Sequence, residues 1–363
     1  MDHISSCRKA SSQWKRERDI NSAKMIEDLK AKVDNLYSDN EATTEEIVEA
    51  LKELTDALKA EEQFWRQKSR ILWLLEGDLN TKFFHAITKQ RRARNKITSL
   101  LDSVGNLVEE EEKLVAIATS YFRDLFQTSN PQLIDEALAN VSTTITDQIN
   151  ADLTAHVSEW EVKLALFAMH PEKASGLDGF TAFFYQKFWD IVKEDLTRMV
   201  NEFLFDGTMA NGLNDANICL IPKKEKPDEM SQFRPISLRN VSYKIISKVL
   251  CQRLKKVLPN RISETQSAFV AGRHITDNVL IAQEMFHALR TNSGGRVKRM
   301  AIKSDMSKAY DRLEWEFISA VLKKMGFLDT WIEWIMRRVS SVKYHVLFNG
   351  QPRGNITPQR GLR

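Results

Sequence analysis

The clearest structural signal in this sequence is the stretch Val342-Lys343-Tyr344-His345-Val346-Leu347-Phe348-Asn349-Gly350, an alternating apolar run closed by Asn-Gly. Asn-Gly after a strand predicts a two-residue hairpin, because a type I′ turn needs positive φ at both positions. The chain returns through Gly354-Asn355-Ile356, which predicts the second strand. We therefore expect a small sheet in this part of the chain.

On the N-terminal side of this hairpin, short apolar runs predict two further strands, at Ala216–Pro222 and at Arg299–Asp305. Apolar residues at helical spacing predict one long buried helix from Phe184 to Phe203. The same spacing predicts helices at about 236–258, 276–291, 312–325 and 329–339. Strands interspersed with helices indicate an α+β domain with one small, incomplete sheet.

The first hundred residues are predicted to be helical. Two narrow apolar stripes, Ile26 to Leu36 and Ile47 to Leu58, favour a helical hairpin or short coiled coil. Thr43 and Glu46 have the spacing of a capping box at the start of the second helix. We divide the chain into a helical linker at 1–60, a helical basic-then-acidic extension at 61–150 and an α+β domain at 151–363.

Composition excludes several classes of protein. Within the 363 residues, no apolar run approaches the roughly 18 residues of a membrane span, which predicts no membrane partner. The N-terminus lacks the apolar segment of a secretory signal, so we expect an intracellular protein, with nucleus or cytoplasm unresolved. Three scattered cysteines provide neither a disulfide framework nor a zinc site. Oligomeric state is not indicated.

Charge is distributed in blocks. Residues 66–96 carry nine Lys/Arg against two acids, and residues 223–261 carry eleven against three. Between these two basic blocks, residues 101–170 carry twelve acids against three Lys/Arg. Clustered Lys/Arg are typical of a surface that neutralises phosphates, although solvated helix faces explain the same pattern.

The sharpest candidate for chemistry is Asp305, at the end of the predicted strand and just before a helix. A carboxylate there is placed to bind a hard cation such as Mg²⁺. Taken without further knowledge, an Asp between strand and helix is more often a helix cap or turn residue.

The residues around it resemble a known family. Asp305-Met306-Ser307-Lys308-Ala309-Tyr310-Asp311-Arg312 with Glu314-Trp315 resembles motif A of the reverse transcriptases of LINE-type (non-LTR) retrotransposons, especially those of plants. Four further blocks occur in the family's order: 73–85, Lys173-Ala174-Ser175-Gly176-Leu177-Asp178-Gly179, Phe233-Arg234-Pro235-Ile236-Ser237-Leu238, and 266–273. Ser175 and Leu177 replace two prolines of the family's second block.

This resemblance implies an RNA-directed DNA polymerase with the fingers and part of the palm of a right-hand fold. Asp305 would be the catalytic residue and ligand of Mg²⁺, Tyr310 would select deoxynucleotides, and Arg234 would reach the incoming triphosphate. The implied partners are an RNA template, a DNA primer and deoxynucleoside triphosphates. Candidates for nucleic-acid binding are the basic side chains Arg66, Lys68, Arg70, Arg91, Arg92, Arg94, Lys244 and Lys248.

The sequence also departs from the family. Residues 359–363 resemble the lead-in to motif B, but the family's following "QGDPLSP" and the "ADD" of motif C do not occur among these residues. We therefore expect this chain to be a fragment truncated before motifs B and C and inactive by itself. The alternative is a non-catalytic nucleic-acid-binding or coiled-coil interaction protein derived from such an element.

Overall fold

The computed structural model of the chain describes residues 6, 7, 9, 10 and 13, and then residues 22–71, 81–207, 209–291 and 300–362. Contacts divide the chain into two compact units. The first is Met1–Leu114, Cys219–Ile236 and Leu347–Gln351; the second is Val115–Ile218, Ser237–Val346 and Pro352–Arg363. Helices and two small sheets form the described part, which confirms the α+β class. The division at residues 60 and 150 stays a prediction.

The N-terminal helices confirm the predicted hairpin. They are α1 (Ser22–Ser38), α2 (Thr44–Ser69) and α3 (Thr81–Asn95). Helix α2 begins with the expected capping box, in which the Glu46 N–H donates to Thr43 Oγ1 and the Thr43 N–H donates to Glu46 Oε2. An ion pair between Lys32 and Glu53 joins α1 to α2 at 2.8 Å.

A two-stranded sheet follows α3. Strand β1 (Leu100–Leu101) pairs antiparallel with β2 (Leu107–Val108). The helices along the next part of the chain are α4 (Glu111–Leu125), α5 (Ile134–Ala137), α6 (Asp147–Thr154), α7 (Glu159–Phe167), α8 (Ala182–Lys187) and α9 (Trp189–Asn201). A π-helical turn, Glu202–Asp206, extends α9.

The second sheet has four strands. Strands β3 (Ala216–Pro222) and β4 (Phe233–Arg239) precede α10 (Val241–Val257), α11 (Ile275–Thr291), α12 (Ala309–Arg312), α13 (Trp315–Met325) and α14 (Asp329–Ser340). Strands β5 (Tyr344–Phe348) and β6 (Gln351–Ile356) complete the order β4-β3-β5-β6. The turn between β5 and β6 has φ of 47° at Asn349 and 91° at Gly350, which confirms the type I′ prediction.

Three predicted elements are wrong in whole or part. Residues 236–239 belong to β4 and not to a helix; β4 lies at the sheet edge, where Pro235 is tolerated because an edge strand needs no N–H there. The long helix breaks at Phe188, with φ −103° and ψ 27°. The break turns the chain so that Trp189 is buried, whereas Phe188 is 40% and Ile191 76% exposed.

The third is the predicted strand at Arg299–Asp305, of which residue 299 lies outside the described residues. Residues 300–305 form no strand. Met300 and Ile302 are 81% and 83% exposed. A strand needs a ladder partner, and the strands of the larger described sheet pair with one another in the order given above.

A tight backbone contact fixes the loop before α8. A Cβ added to Gly176 would lie 2.2 Å from the backbone N of Asn240. The Asp178 N–H donates to Asn240 Oδ1 at 3.1 Å, and Asn240 Nδ2 donates to the carbonyl of Leu213 at 3.2 Å. Residues 176–178 therefore pack on the start of α10 through a contact that only glycine permits.

We predict that Gly176→Ala lowers the free energy of unfolding by at least about 2 kcal/mol, because backbone cannot move aside as a flexible side chain can. Gly179→Ala, in the same loop, is the control: its φ of 81° is strained for alanine, but nothing lies within 4 Å. Urea denaturation followed by circular dichroism measures both variants. Equal losses in the two variants would contradict the packing argument.

Candidate functional site

The segment that resembles motif A lies in the second unit. Its first part, residues 301–306, has no regular secondary structure and is exposed, and Asp305 is exposed with it. Lys308 adopts a left-handed conformation (φ 54°) that starts α12, and its ammonium lies 4.3 Å from the centre of the Tyr121 ring. The predicted catalytic carboxylate thus stands on an open segment and not at the end of a strand.

Two residues of α12 have opposite environments. Tyr310 is 55% exposed, and its ring meets that of Phe269 edge-on, with centroids 6.4 Å apart. Asp311 is buried, with 1% exposure. An exposed aromatic ring suits the nucleotide-contacting role implied for Tyr310, which stays a prediction; the burial of Asp311 indicates a structural role.

The segment that resembles the lead-in to motif B docks on motif A. The Gly361 N–H donates to the Leu313 carbonyl at 2.8 Å, and the Leu362 N–H donates to the Tyr310 carbonyl at 2.7 Å. Trp315 Nε1 donates to the Gly361 carbonyl at 2.8 Å. Backbone hydrogen bonds therefore hold two family blocks side by side.

A partly buried carboxylate, that of Glu314, joins the two segments. Arg360 Nη1 donates to Glu314 Oε1 at 3.0 Å, and the two side chains are 14% and 11% exposed respectively. The Thr128 hydroxyl donates to Oε2 at 2.7 Å; the Ser129 N–H and hydroxyl donate to Oε1 at 3.0 and 2.9 Å. Two hydroxyls, an N–H and a guanidinium thus converge on one carboxylate.

These contacts set the protonation of Glu314. Burial by itself raises the pKa of the carboxyl, but the hydrogen bonds from Ser129, Thr128 and Arg360 outweigh it and lower the pKa below its ordinary value. Sequence reasoning missed this role. Glu314 and Arg360 both lie in segments that resemble family motifs, but no local spacing connects residues 46 positions apart.

The loop that contains Gly176 also surrounds Lys244 of α10. The Lys244 ammonium is 3.4 Å from the Ala174 carbonyl. Burial lowers the pKa of Lys244, while the carboxylate of Asp178 acts in the opposite direction. Lys244 is therefore half-buried against this loop, and Lys248, one turn further along α10, is half-buried too. Nucleic-acid binding by this pair stays a prediction.

In the first unit, the basic candidates occupy the ends of α2 and α3. Arg70 ends α2 in a left-handed conformation, and Lys68 lies 4.0 Å from the Phe64 ring centre. Arg91 donates to the carbonyls of Ser69 and Lys68, which lack helical partners at the end of α2. Arg91 therefore joins α3 to α2.

The remaining candidates of this unit differ in environment. Arg66 is half-buried, and Arg92 and Arg94 are exposed on α3. Arg234 is exposed on β4. Exposure leaves Arg92, Arg94 and Arg234 accessible to a polyanion, and their binding roles stay predictions. Residues 73–80 of the upstream block lie outside the described residues.

Comparison with known proteins identifies the domain. Residues 221–363 match the sequence model of a family described as reverse transcriptase (RNA-dependent DNA polymerase). These residues are therefore similar to part of a reverse transcriptase domain. The chain is 28% identical over 298 residues to the Transposon TX1 uncharacterized 149 kDa protein of Xenopus laevis, covering 82% of this chain and 22% of that protein.

A second relative is the Retrovirus-related Pol polyprotein from type-1 retrotransposable element R2 of Nasonia vitripennis. It is 24% identical over 195 residues, covering 52% of this chain and 18% of the relative. The chain thus spans about a fifth of the length of these curated relatives. The resemblance to LINE-type (non-LTR) reverse transcriptases is confirmed; the plant origin stays a prediction.

Reverse transcriptases use Mg²⁺, which carboxylate ligands hold. Within the described ranges, no group of three or more His, Cys, Asp or Glu is placed to hold a metal. A two-metal site needs several converging carboxylates. The described residues do not assemble one, and Asp305 as catalytic residue and metal ligand stays a prediction. We also find no described helix with the length and apolarity needed to cross a membrane.

We predict that Glu314→Gln lowers the free energy of unfolding near pH 7 by about 2 kcal/mol, because charge-assisted hydrogen bonds are lost. The folded pKa of Glu314 is lowered, so its contribution is present above the unfolded pKa of about 4.3 and is lost as pH falls through the folded value. The variant should therefore lose less stability than the parent on acidification. The midpoints of urea denaturation, measured for both proteins near pH 7 and at acidic pH, test this expectation.

The matched control is Glu316→Gln, an exposed glutamate on α13. It should change neither the stability near pH 7 nor its acid dependence by more than about 0.5 kcal/mol. A Glu314→Gln variant that behaves like this control would show that the carboxylate does not organise the contact.

Proposed function

We propose that this chain supplies the fingers and part of the palm of an RNA-directed DNA polymerase encoded by a non-LTR retrotransposon. Residues 151–363 would form this part, preceded by a linker at 1–60 and an extension at 61–150. RNA template, DNA primer and deoxynucleoside triphosphates would be its partners. The observation that carries the proposal is the docking of residues 359–362 on motif A within the matched range.

The roles of individual residues follow from their chemistry. Arg234 offers a forked guanidinium suited to a triphosphate, and it is exposed. Tyr310 follows Asp305 by five residues and has an exposed ring. This ring would pack against a deoxyribose and exclude a 2′-hydroxyl. Asp305 would bind Mg²⁺ together with carboxylates from the rest of the polymerase.

A non-catalytic nucleic-acid-binding protein is the second candidate. Two observations favour it: no three-residue metal-binding group occurs in the described part of the chain, and basic side chains gather in the first unit. Binding is expected under both proposals, whereas templated synthesis is expected only of a polymerase with a complete set of metal ligands.

We predict that residues 1–363 do not extend a primer on an RNA template with Mg²⁺ and deoxynucleotides, because one exposed carboxylate cannot hold two metal ions. A gel-based extension assay compares the chain with Asp305→Ala and with an active reverse transcriptase as positive control. Extension that Asp305→Ala abolishes would contradict this prediction and show that further carboxylates complete the site.

We predict that the same chain binds single-stranded RNA and DNA with little sequence preference. Its affinity should fall with salt at a log–log slope of about −0.7 per neutralised phosphate, because binding releases condensed counterions. Fluorescence anisotropy with oligonucleotides of differing base composition measures the slope. Binding that depends on sequence, or that is insensitive to salt, would contradict phosphate neutralisation.

A further inference from the structure

A basic cavity in the first unit is not accounted for by the roles given above. It has a volume of about 790 Å³ and lies where the ends of α2 and α3 face β3, β5 and the Asn349-Gly350 turn. Four cationic side chains line it: Lys68, Arg91, Arg92 and Lys96. The described residues that line the cavity include these four cations and no carboxylate.

Two sets of hydrogen bonds fix the walls. Arg91 holds the end of α2 through the carbonyls of Lys68 and Ser69. On the other side, the Ile97 N–H donates to Asn349 Oδ1 at 2.9 Å and Asn349 Nδ2 donates to the Ile97 carbonyl at 3.0 Å. The Asn349 side chain thereby ties the hairpin turn to the segment after α3. The cavity is therefore preorganised.

The four cationic side chains differ in whether they can still bind a ligand. Arg91 already donates to two backbone carbonyls, and Lys68 lies against the Phe64 ring. Arg92 and Lys96 are exposed at the cavity. A concave surface lined by cationic side chains focuses the electrostatic potential and favours an anion that can accept several N–H hydrogen bonds. A phosphate group has this chemistry.

We propose that this cavity binds a phosphate of a single-stranded nucleic-acid backbone, with Arg92 and Lys96 as the ligating side chains and Arg91 as a positioning residue. The proposal rests on the proposed function and specifies where in the first unit the polynucleotide is held. It assigns no base contact, because phosphate contacts set position and not sequence.

The first test compares two double variants that remove the same charge. Arg92→Gln/Lys96→Gln should flatten the salt slope for a fluorescent single-stranded oligonucleotide by at least about 0.7, the contribution of one phosphate. Lys52→Gln/Lys59→Gln, exposed on α2 away from the cavity lining, should keep the parent slope. Thermal unfolding by circular dichroism checks that both variants fold.

The second test needs no variant. Cys219 lines the cavity, and burial raises the pKa of its thiol, so alkylation is run at mildly alkaline pH. Bound oligonucleotide should slow the alkylation of Cys219 several-fold, with the exposed Cys251 as internal reference in peptide mass spectrometry. Inorganic phosphate and an acidic peptide are tested separately as alternative anions. At an equal concentration of phosphate or carboxylate groups, each should protect Cys219 less than the oligonucleotide does.

Each outcome supports or overturns a separate statement. If the parent chain binds no oligonucleotide, the proposed function fails. If it binds, but the Arg92/Lys96 variant keeps the parent slope and Cys219 is not protected, only the cavity proposal fails. Protection by inorganic phosphate or the peptide that equals or exceeds protection by the oligonucleotide also overturns a backbone-phosphate site.

Discussion

The hydrogen-bonded carboxylate of Glu314 is the constraint on which the candidate site of the second unit depends. A carboxylate that is 11% exposed must have its lost hydration replaced, and Arg360, Thr128 and Ser129 supply that replacement. Because Arg360 belongs to the segment that docks on motif A, satisfying this one charge also fixes that segment. The position of Tyr310 relative to residues 359–362 follows from the same contact.

Backbone proximity has a corresponding role at the start of α10. Gly176 allows its loop to approach Asn240, whose side chain then accepts from Asp178 and donates to Leu213. Lys244 is drawn against the same loop, and burial lowers its pKa. The absence of a Cβ at Gly176 therefore contributes to the burial of Lys244, a residue for which the charge pattern alone predicts nucleic-acid binding.

In the first unit, the role of each basic side chain depends on its position in the structure. Its basic residues carry the same charge, yet Arg91 donates to the carbonyls at the end of α2, Lys68 contacts the Phe64 ring, and Arg92 and Lys96 line a cavity. Helix ends leave carbonyls unpaired, so a cation beside them is used structurally before it is available to a ligand. A variant that replaces all four residues would therefore lose structural contacts and ligand contacts together.

Several local elements and the resemblance to a family can be predicted from the sequence alone. The Asn349-Gly350 turn and the Thr43/Glu46 capping box follow from nearest-neighbour chemistry, which needs no distant partner. The apolar run of β3 predicts a strand, but that strand forms by pairing with β4 and β5. Other features depend on contacts between segments that are far apart in the sequence. Residues 300–305 have strand-like side chains but form no strand, because a strand exists only with a ladder partner. The Glu314–Arg360 pair and the basic cavity join segments far apart in sequence, and no periodicity reports such contacts.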